Sequence, residues 1–231
     1  MTVAANQPYL FPYLGYFQLI AAADIFVLCD SMQYVRRSFI NRNNLLVGGD
    51  KFLITAPVRK ASREAPINEV EYCEDFLDRW MRTIRWNYAK APFFEKVMEM
   101  LEALRNERLW NVAHFNRRCI EAVCAYLGID TSLVNLSDMG NISGYDKSDR
   151  MIGIVERCGG DRYLNLPGGR ALYSPCDFAC RGIELKFLEP YLPPYRQMRA
   201  DRFHPALSIL DVMMNCSPQE VREMIRNARF S

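Results

Sequence analysis

Apolar and polar positions along the chain follow two rhythms. Thr2 to Asn6 is a short β-capable run, Gln7-Pro8-Tyr9-Leu10-Phe11-Pro12 interrupts it, and Tyr13 to Ala23 favours a helix whose first turn can take Pro12. Ile25 to Cys29 is an unbroken apolar run that stops at Asp30, the pattern of a strand covered on both faces of a parallel sheet. The opening therefore reads as a βαβ unit. Asn41-Arg42-Asn43 then reads as a polar loop, Gly48-Gly49-Asp50 as a turn, and Phe52 to Pro57 as a strand.

From Glu74 to Gly128 the apolar period becomes that of helices. Leu77, Trp80, Met81, Ile84 and Tyr88 form one stripe, and Val97, Leu101 and Leu104 a second. Leu109, Val112, Cys119, Ile120, Val123 and Leu127 form a third, which ends at Gly128. Alternation then resumes. Ser132 to Leu136, Asp161 to Leu166 and Glu184 to Leu188 read as strands, with helices at Asp146 to Cys158 and near Asp177. Two last helices fit Leu207 to Asn215 and Pro218 to Ala228, the second capped by Ser217. The expected fold is α/β: one domain over residues 1–231 with an open, mostly parallel, Rossmann-like sheet and a helical insertion at about residues 74–128.

Half of the 231 residues are hydrophobic and 24% are charged, enough apolar material for a substantial core. The net charge of +2 gives no global field that demands nucleic acid or an anionic membrane, so a polyanion would need a local patch. Met1 to Gly15 has no charged leader pattern, and the stretch Leu19 to Cys29 is broken by Asp24 and too short to cross a bilayer. A cytoplasmic protein without membrane insertion is expected. The eight cysteines are scattered and read as reduced thiols; Cys176-x-x-x-Cys180 lacks partners for a zinc site, and no metal ligands are assigned.

In open α/β sheets ligands bind beyond the carboxyl ends of the strands where strand order reverses. The first two such ends carry Asn6-Gln7 and Asp30-Ser31, polar groups placed just where an apolar strand stops. Asn116 falls on the apolar stripe of its helix and needs buried partners, and Asp211 lies among Ile209, Leu210, Val212 and Met213. His114 is expected to face solvent, which leaves His204 as the candidate histidine base.

The segment Gln7-Pro8-Tyr9-Leu10-Phe11-Pro12-Tyr13-Leu14-Gly15-Tyr16-Phe17-Gln18 resembles the opening motif of the WbqC-like protein family. The resemblance continues through Asp30-Ser31-Met32-Gln33-Tyr34, Ile40-Asn41-Arg42-Asn43 and Asn87-Tyr88-x-Lys90-Ala91-Pro92-Phe93-Phe94. It returns in Gly168-Gly169-x-x-Leu172-Tyr173, Tyr195-x-Gln197 and Leu207-Ser208-Ile209-Leu210-Asp211. It implies a cytosolic bacterial protein of polysaccharide or O-antigen synthesis that transfers glycine or another aminoacyl group to an amino sugar. The family's acidic pair after the second strand often reads Asp-Asp; here its second position is Ser31.

Amide formation needs an activated acyl donor, a deprotonated amine and donors aimed at the developing oxyanion. Asp30 and His204 are the candidate catalytic groups. Asn6, Gln7 and Asn41 are candidate hydrogen-bond donors to substrate, Arg42 offers a planar fork for a phosphate, and Lys147 a point charge. Tyr9 and Tyr16 are candidate stacking partners and Gly168-Gly169 a candidate anion cradle; Gly15, Gln33, Asn43 and Tyr173, inside the matched blocks, complete the substrate-binding set. Asn6-Gln7, Asp30 and Arg42 are expected to converge on one pocket. The expected acceptor is a nucleotide-linked amino sugar, and the donor is left open between an aminoacyl-tRNA and glycine with ATP and Mg²⁺. Two other readings stand beside the transferase: a nucleotide- or sugar-binding accessory protein of the same pathway, and an ATP-dependent adenylate-forming ligase.

Overall fold

The computed structural model describes residues 1–142 and 147–230. Its sheet has six strands in the order β5-β2-β1-β6-β7-β8: β1 (Thr2–Asn6), β2 (Ile25–Leu28), β5 (Ser132–Asn135), β6 (Arg162–Asn165), β7 (Glu184–Glu189) and β8 (Arg229–Phe230). All pairs are parallel except β7 with the short β8. The fold is the expected open, mostly parallel α/β sheet. Strand alternation sorts side chains onto two faces. Ala4, Phe26, Leu28, Leu164 and Leu188 join one buried cluster with α1 (Leu14–Ala21) and the helices α2 (Phe76–Tyr88), α3 (Phe94–Asn106) and α4 (Val112–Leu127). Helices α7 (Ile209–Asn215) and α8 (Pro218–Arg226) pack into the same cluster. Val3, Ala5, Val27, Cys29 and Tyr163 face the other way, onto α5 (Lys147–Arg157) and α6 (Pro175–Ala179). Asp146, the expected first residue of α5, lies outside the described residues.

Asn41-Arg42-Asn43 is not the polar loop its composition suggests. Arg42 and Asn43 begin β3 (Arg42–Val47), which pairs with β4 (Asp50–Thr55) in a separate antiparallel hairpin. Asparagine ordinarily disfavours strands, but Asn43 and Asn44 are buried here, and the Asn43 amide and the Asn44 backbone carbonyl are used by other parts of the chain. The hairpin closes through Gly48 and Gly49, at φ +65° and +95°, the left-handed pair that a two-residue turn of this hand requires.

The loop after β1 explains much of the buried polarity. An irregular buried segment must find partners for its carbonyls. Tyr16 Oη donates to the Gln7 carbonyl at 2.8 Å, and Asn116 Nδ2 on α4 donates to the Pro8 carbonyl at 2.8 Å. Asn43 Nδ2 donates to the Leu10 and Phe11 carbonyls at 2.9 and 2.6 Å, and Ser208 Oγ donates to that of Phe11 at 2.8 Å. The Ile209 N–H donates to the Pro12 carbonyl. Phe11 sits at φ +43°, an uncommon conformation for a bulky residue, and these bonds hold it there. Thus four remote elements clamp one loop, and that loop forms a wall of the site.

Candidate functional site

From β1 the chain builds outward through β2 to β5, then crosses back to place β6 and β7 on the opposite side of β1. The order therefore reverses between β1 and β6, and a cavity of about 370 Å³ opens at their carboxyl ends. Its floor holds Ala5, Asn6, Cys29 and Asn165, and its walls hold Gln7, Tyr9, Met32, Met151, Leu166, Gly168, Gly169, Leu172 and Tyr173. Among the described residues no charged side chain lines it.

Asn6 and Asn165 occupy equivalent places, each the last residue of its strand. Asn6 Oδ1 accepts the Gln7 N–H at 2.8 Å, and Asn165 Oδ1 accepts the Leu166 N–H at 2.8 Å. A backbone N–H can only donate, so each amide is fixed with its oxygen turned to the backbone and its NH₂ left to donate elsewhere. A Cβ on residue 169 would stand 2.5 Å from Asn165 Nδ2, so Gly169 is the residue that leaves the amide its room. The floor is a pair of neutral donors.

The remaining polar atoms are also held neutral. Burial, then Asp30, pushes the Cys29 thiol up to about 12, with Arg150 opposing. Burial raises the Tyr9 and Tyr173 hydroxyls above their ordinary value. Near neutral pH all three remain protonated, so Cys29 is no thiolate nucleophile. Tyr9 packs on Tyr16 at 5.7 Å between ring centroids, and Tyr173 meets Tyr163 edge-on at 5.7 Å.

A family model described as the WbqC-like protein family matches residues 7–223. The chain belongs to that family. It is also 30% identical over 221 residues to Uncharacterized protein Rv1507c of Mycobacterium tuberculosis (strain ATCC 25618 / H37Rv), covering 92% of this chain and 93% of that protein. No solved structure matches it. No helix among the described residues is long and apolar enough to cross a membrane.

In this WbqC-like protein the cavity gathers Asn6, Gln7, Tyr9, Gly168, Gly169 and Tyr173 from the set expected from sequence. Gly168 and Gly169 lie in a 3-10 turn, Pro167–Leu172. Tyr16 supports the wall from beneath, and Gly15 leaves space that the Tyr13 ring fills. The others lie elsewhere. Asp30 is buried and spends both oxygens on Ser137, accepting its N–H at 2.9 Å and its hydroxyl at 2.6 Å, which ties the end of β2 to the turn after β5. Gln33 Nε2 donates to the Arg63 carbonyl, Asn41 Nδ2 to that of Ala56, and Arg42 Nε to that of Ser38. Lys147 is exposed at the start of α5. Asp30 and Arg42 are absent from the cavity wall, so the expected convergence narrows to Asn6 and Gln7.

His204 belongs to a different cluster. Asp211, fully buried, accepts hydrogen bonds from Tyr88 and Tyr195, each at 2.6 Å. Gln197 Nε2 donates to the Tyr195 hydroxyl and to the His204 carbonyl, and Gln197 Oε1 accepts the His204 N–H. Burial raises the Asp211 pKa against these donors. This network joins α2, α7 and the segment before α7; it does not line the cavity. Asn165, Cys29, Met32, Met151 and Leu172 were not anticipated. Asn165 carries the same signal as Asn6, a polar residue ending an apolar strand, at a strand end later in the chain.

A Mg²⁺–ATP complex needs carboxylate or phosphate oxygens around the ion. Among the described residues the cavity wall supplies no carboxylate, and the neighbouring Asp30 is committed to Ser137, so these residues do not fit a Mg²⁺ site there. A larger recess of about 520 Å³ lies where the ends of α2, α3 and α4 meet. Its Glu74, Asp75 and Asp78 already pair with Arg59, Arg79 and Arg105, so it reads as a grooved, charged surface rather than a site.

Proposed function

We propose that this WbqC-like protein binds an amino sugar, nucleotide-linked as the resemblance implies, in the switch-point cavity and serves as an aminoacyl transferase toward its amine. The observation that carries the reading is the donor pair of Asn6 and Asn165 on the floor of a neutral, tyrosine-walled cavity. Sugar hydroxyls and amide or base carbonyls offer acceptor oxygens to such a floor, and tyrosine rings cover their apolar faces. An aminoacyl ester arrives activated, so the step needs alignment with a neutral amine more than a side-chain nucleophile. The amine nitrogen attacks the ester carbonyl, the C–N bond forms as the C–O bond breaks, and the amine proton passes to the departing hydroxyl oxygen. An amide N–H of Asn6 or Asn165 would serve the developing oxyanion. Glycine is the acyl group that the resemblance favours.

A specific observation favours a second reading, a sugar- or nucleotide-binding accessory protein: among the described residues every group that lines the cavity is uncharged, so none of them is a strong acid or base facing the ligand. Incubation with glycyl-tRNA, or with glycine, ATP and Mg²⁺, against a panel of nucleotide-linked amino sugars separates the two. A product heavier by one glycyl unit supports transfer and identifies the donor. Binding by calorimetry without product from either donor supports the accessory reading and refutes transfer.

A further inference from the structure

Beside the cavity, five basic side chains stand on two neighbouring segments: Arg36 and Arg37 on one loop with Arg42 following at the start of β3, and Lys60 and Arg63 on a second loop. The loops are stitched together. Tyr34 N–H donates to the Ala65 carbonyl at 2.9 Å, Gln33 Nε2 to that of Arg63 at 2.8 Å, and Arg36 Nη2 to that of Ala61 at 3.4 Å. Among the described residues none of the five forms an ion pair, whereas Arg59, Arg79, Arg85, Arg105 and Arg118 are all paired with carboxylates. Glu64 is the single acid on the two loops. In a chain of net charge +2, this leaves a concentrated positive shelf.

The shelf is not purely ionic. Phe39, between Arg37 and Arg42, is 49% exposed, and its ring lies 6.3 Å from that of Tyr9, which lines the cavity. A path therefore runs from unpaired cations, over an open aromatic face, to the cavity mouth. Cations that track a phosphate backbone, interleaved with rings that take unstacked bases, are the chemistry of single-strand binding. Duplexes hide their base faces, and inorganic polyphosphate has none.

We propose that this shelf seats a single-stranded nucleic acid end and directs its terminal nucleotide toward the switch-point cavity. The inference rests on the transferase reading in one respect: it makes the acyl donor RNA-borne. Binding itself is independent of turnover.

The test is fluorescence anisotropy with a labelled single-stranded RNA of about 12 nucleotides, the DNA of the same sequence, its duplex, and long-chain inorganic polyphosphate. Both single strands should bind more tightly than the duplex and the polyphosphate. Phe39→Ala should weaken the single strands at least about fivefold and leave the duplex unchanged. In the double variant Arg36→Gln/Arg37→Gln, the slope of log affinity against log salt should become shallower by about 1.4, two lost phosphate contacts. Unaltered circular dichroism and melting would show that both variants fold. No single-strand binding at low salt overturns the proposal. So does equal binding of all four polyanions, unaffected by Phe39→Ala, which would mark a generic anion surface. Single-strand binding without glycyl transfer from any donor keeps the shelf and refutes the transferase; transfer without such binding refutes the shelf alone.

Discussion

Asn116→Ala tests how the wall of the site is held. Asn116 is fully buried; its Nδ2 donates to the Pro8 and Ile40 carbonyls at 2.8 and 2.7 Å, and its Oδ1 accepts from Tyr72 Oη at 2.8 Å. Not all three bonds are lost without replacement. Tyr72 Oη also stands 3.0 Å from the Ile40 carbonyl, so in the variant the tyrosine turns its proton there and satisfies both groups. Proline has no N–H and its loop carbonyl has no second partner among the described residues, so Pro8 is the group left unpaired. One buried unsatisfied carbonyl plus a small void costs about 2–3 kcal/mol. For a chain of this size that is roughly 5–10 °C in Tm. Urea and thermal unfolding followed by circular dichroism measure it. Tyr72→Phe also leaves one buried acceptor, Asn116 Oδ1, without its partner, but it opens no comparable void and Asn116 keeps both donations, so it should cost less, about 1–2 kcal/mol. A loss below about 0.5 kcal/mol for Asn116→Ala, or a greater loss for Tyr72→Phe, would refute the assignment of Asn116 as the clamp.

Three further outcomes follow from the same structure. Because the folded pKa of Asp211 is raised, its ionisation costs folding energy that is absent at acid pH and sets in as pH rises from about 3.9 through the folded value. The stability of the wild type relative to Asp211→Asn should therefore fall as pH rises above about 4 in urea titrations; a rise would contradict the raised direction. Iodoacetamide at pH 8 should label the exposed Cys176 and Cys180 and spare Cys29, whose thiol is pushed up to about 12; early labelling of Cys29 in peptide mass maps would count against the neutral floor. Gly169→Ala places a methyl group against Asn165 Nδ2 and should weaken ligand binding by about tenfold while shifting Tm little; undiminished affinity would remove Asn165 from the contact surface.

What the sequence disclosed follows from how local each signal is. The Ile25–Cys29 run, the helical stripes and the Ser217 cap depend on neighbours in sequence, and the strand, the helices and a full capping box with Glu220 stand where those patterns lie. The hairpin strand β3 was hidden because Asn43 finds its partners in a loop some thirty positions earlier, and Asn44 in Ser208 far later in the chain, partners invisible to local propensity. Asp30 illustrates a different limit. A carboxylate ending a strand reads equally well as catalyst or as anchor, and only the placement of Ser137, 107 positions away, gives it two bonds within the protein. His204 was singled out by the scarcity of histidine, yet its backbone and carbonyl serve the Gln197–Asp211 network. Asn6 and Tyr9 were legible because strand ends in this architecture face the switch point; Asn165 obeys the same rule, and pairing it with Asn6 required the strand order.

Crystallography of the protein soaked with a nucleotide-linked amino sugar tests the central claim most directly, with the double variant Asn6→Asp/Asn165→Asp as its control. The account predicts ligand oxygens within hydrogen-bond distance of both asparagine NH₂ groups, sugar or base against Tyr9 and Tyr173, and no density in the variant, whose floor no longer donates. Ligand bound elsewhere, or bound equally in the variant, would contradict it.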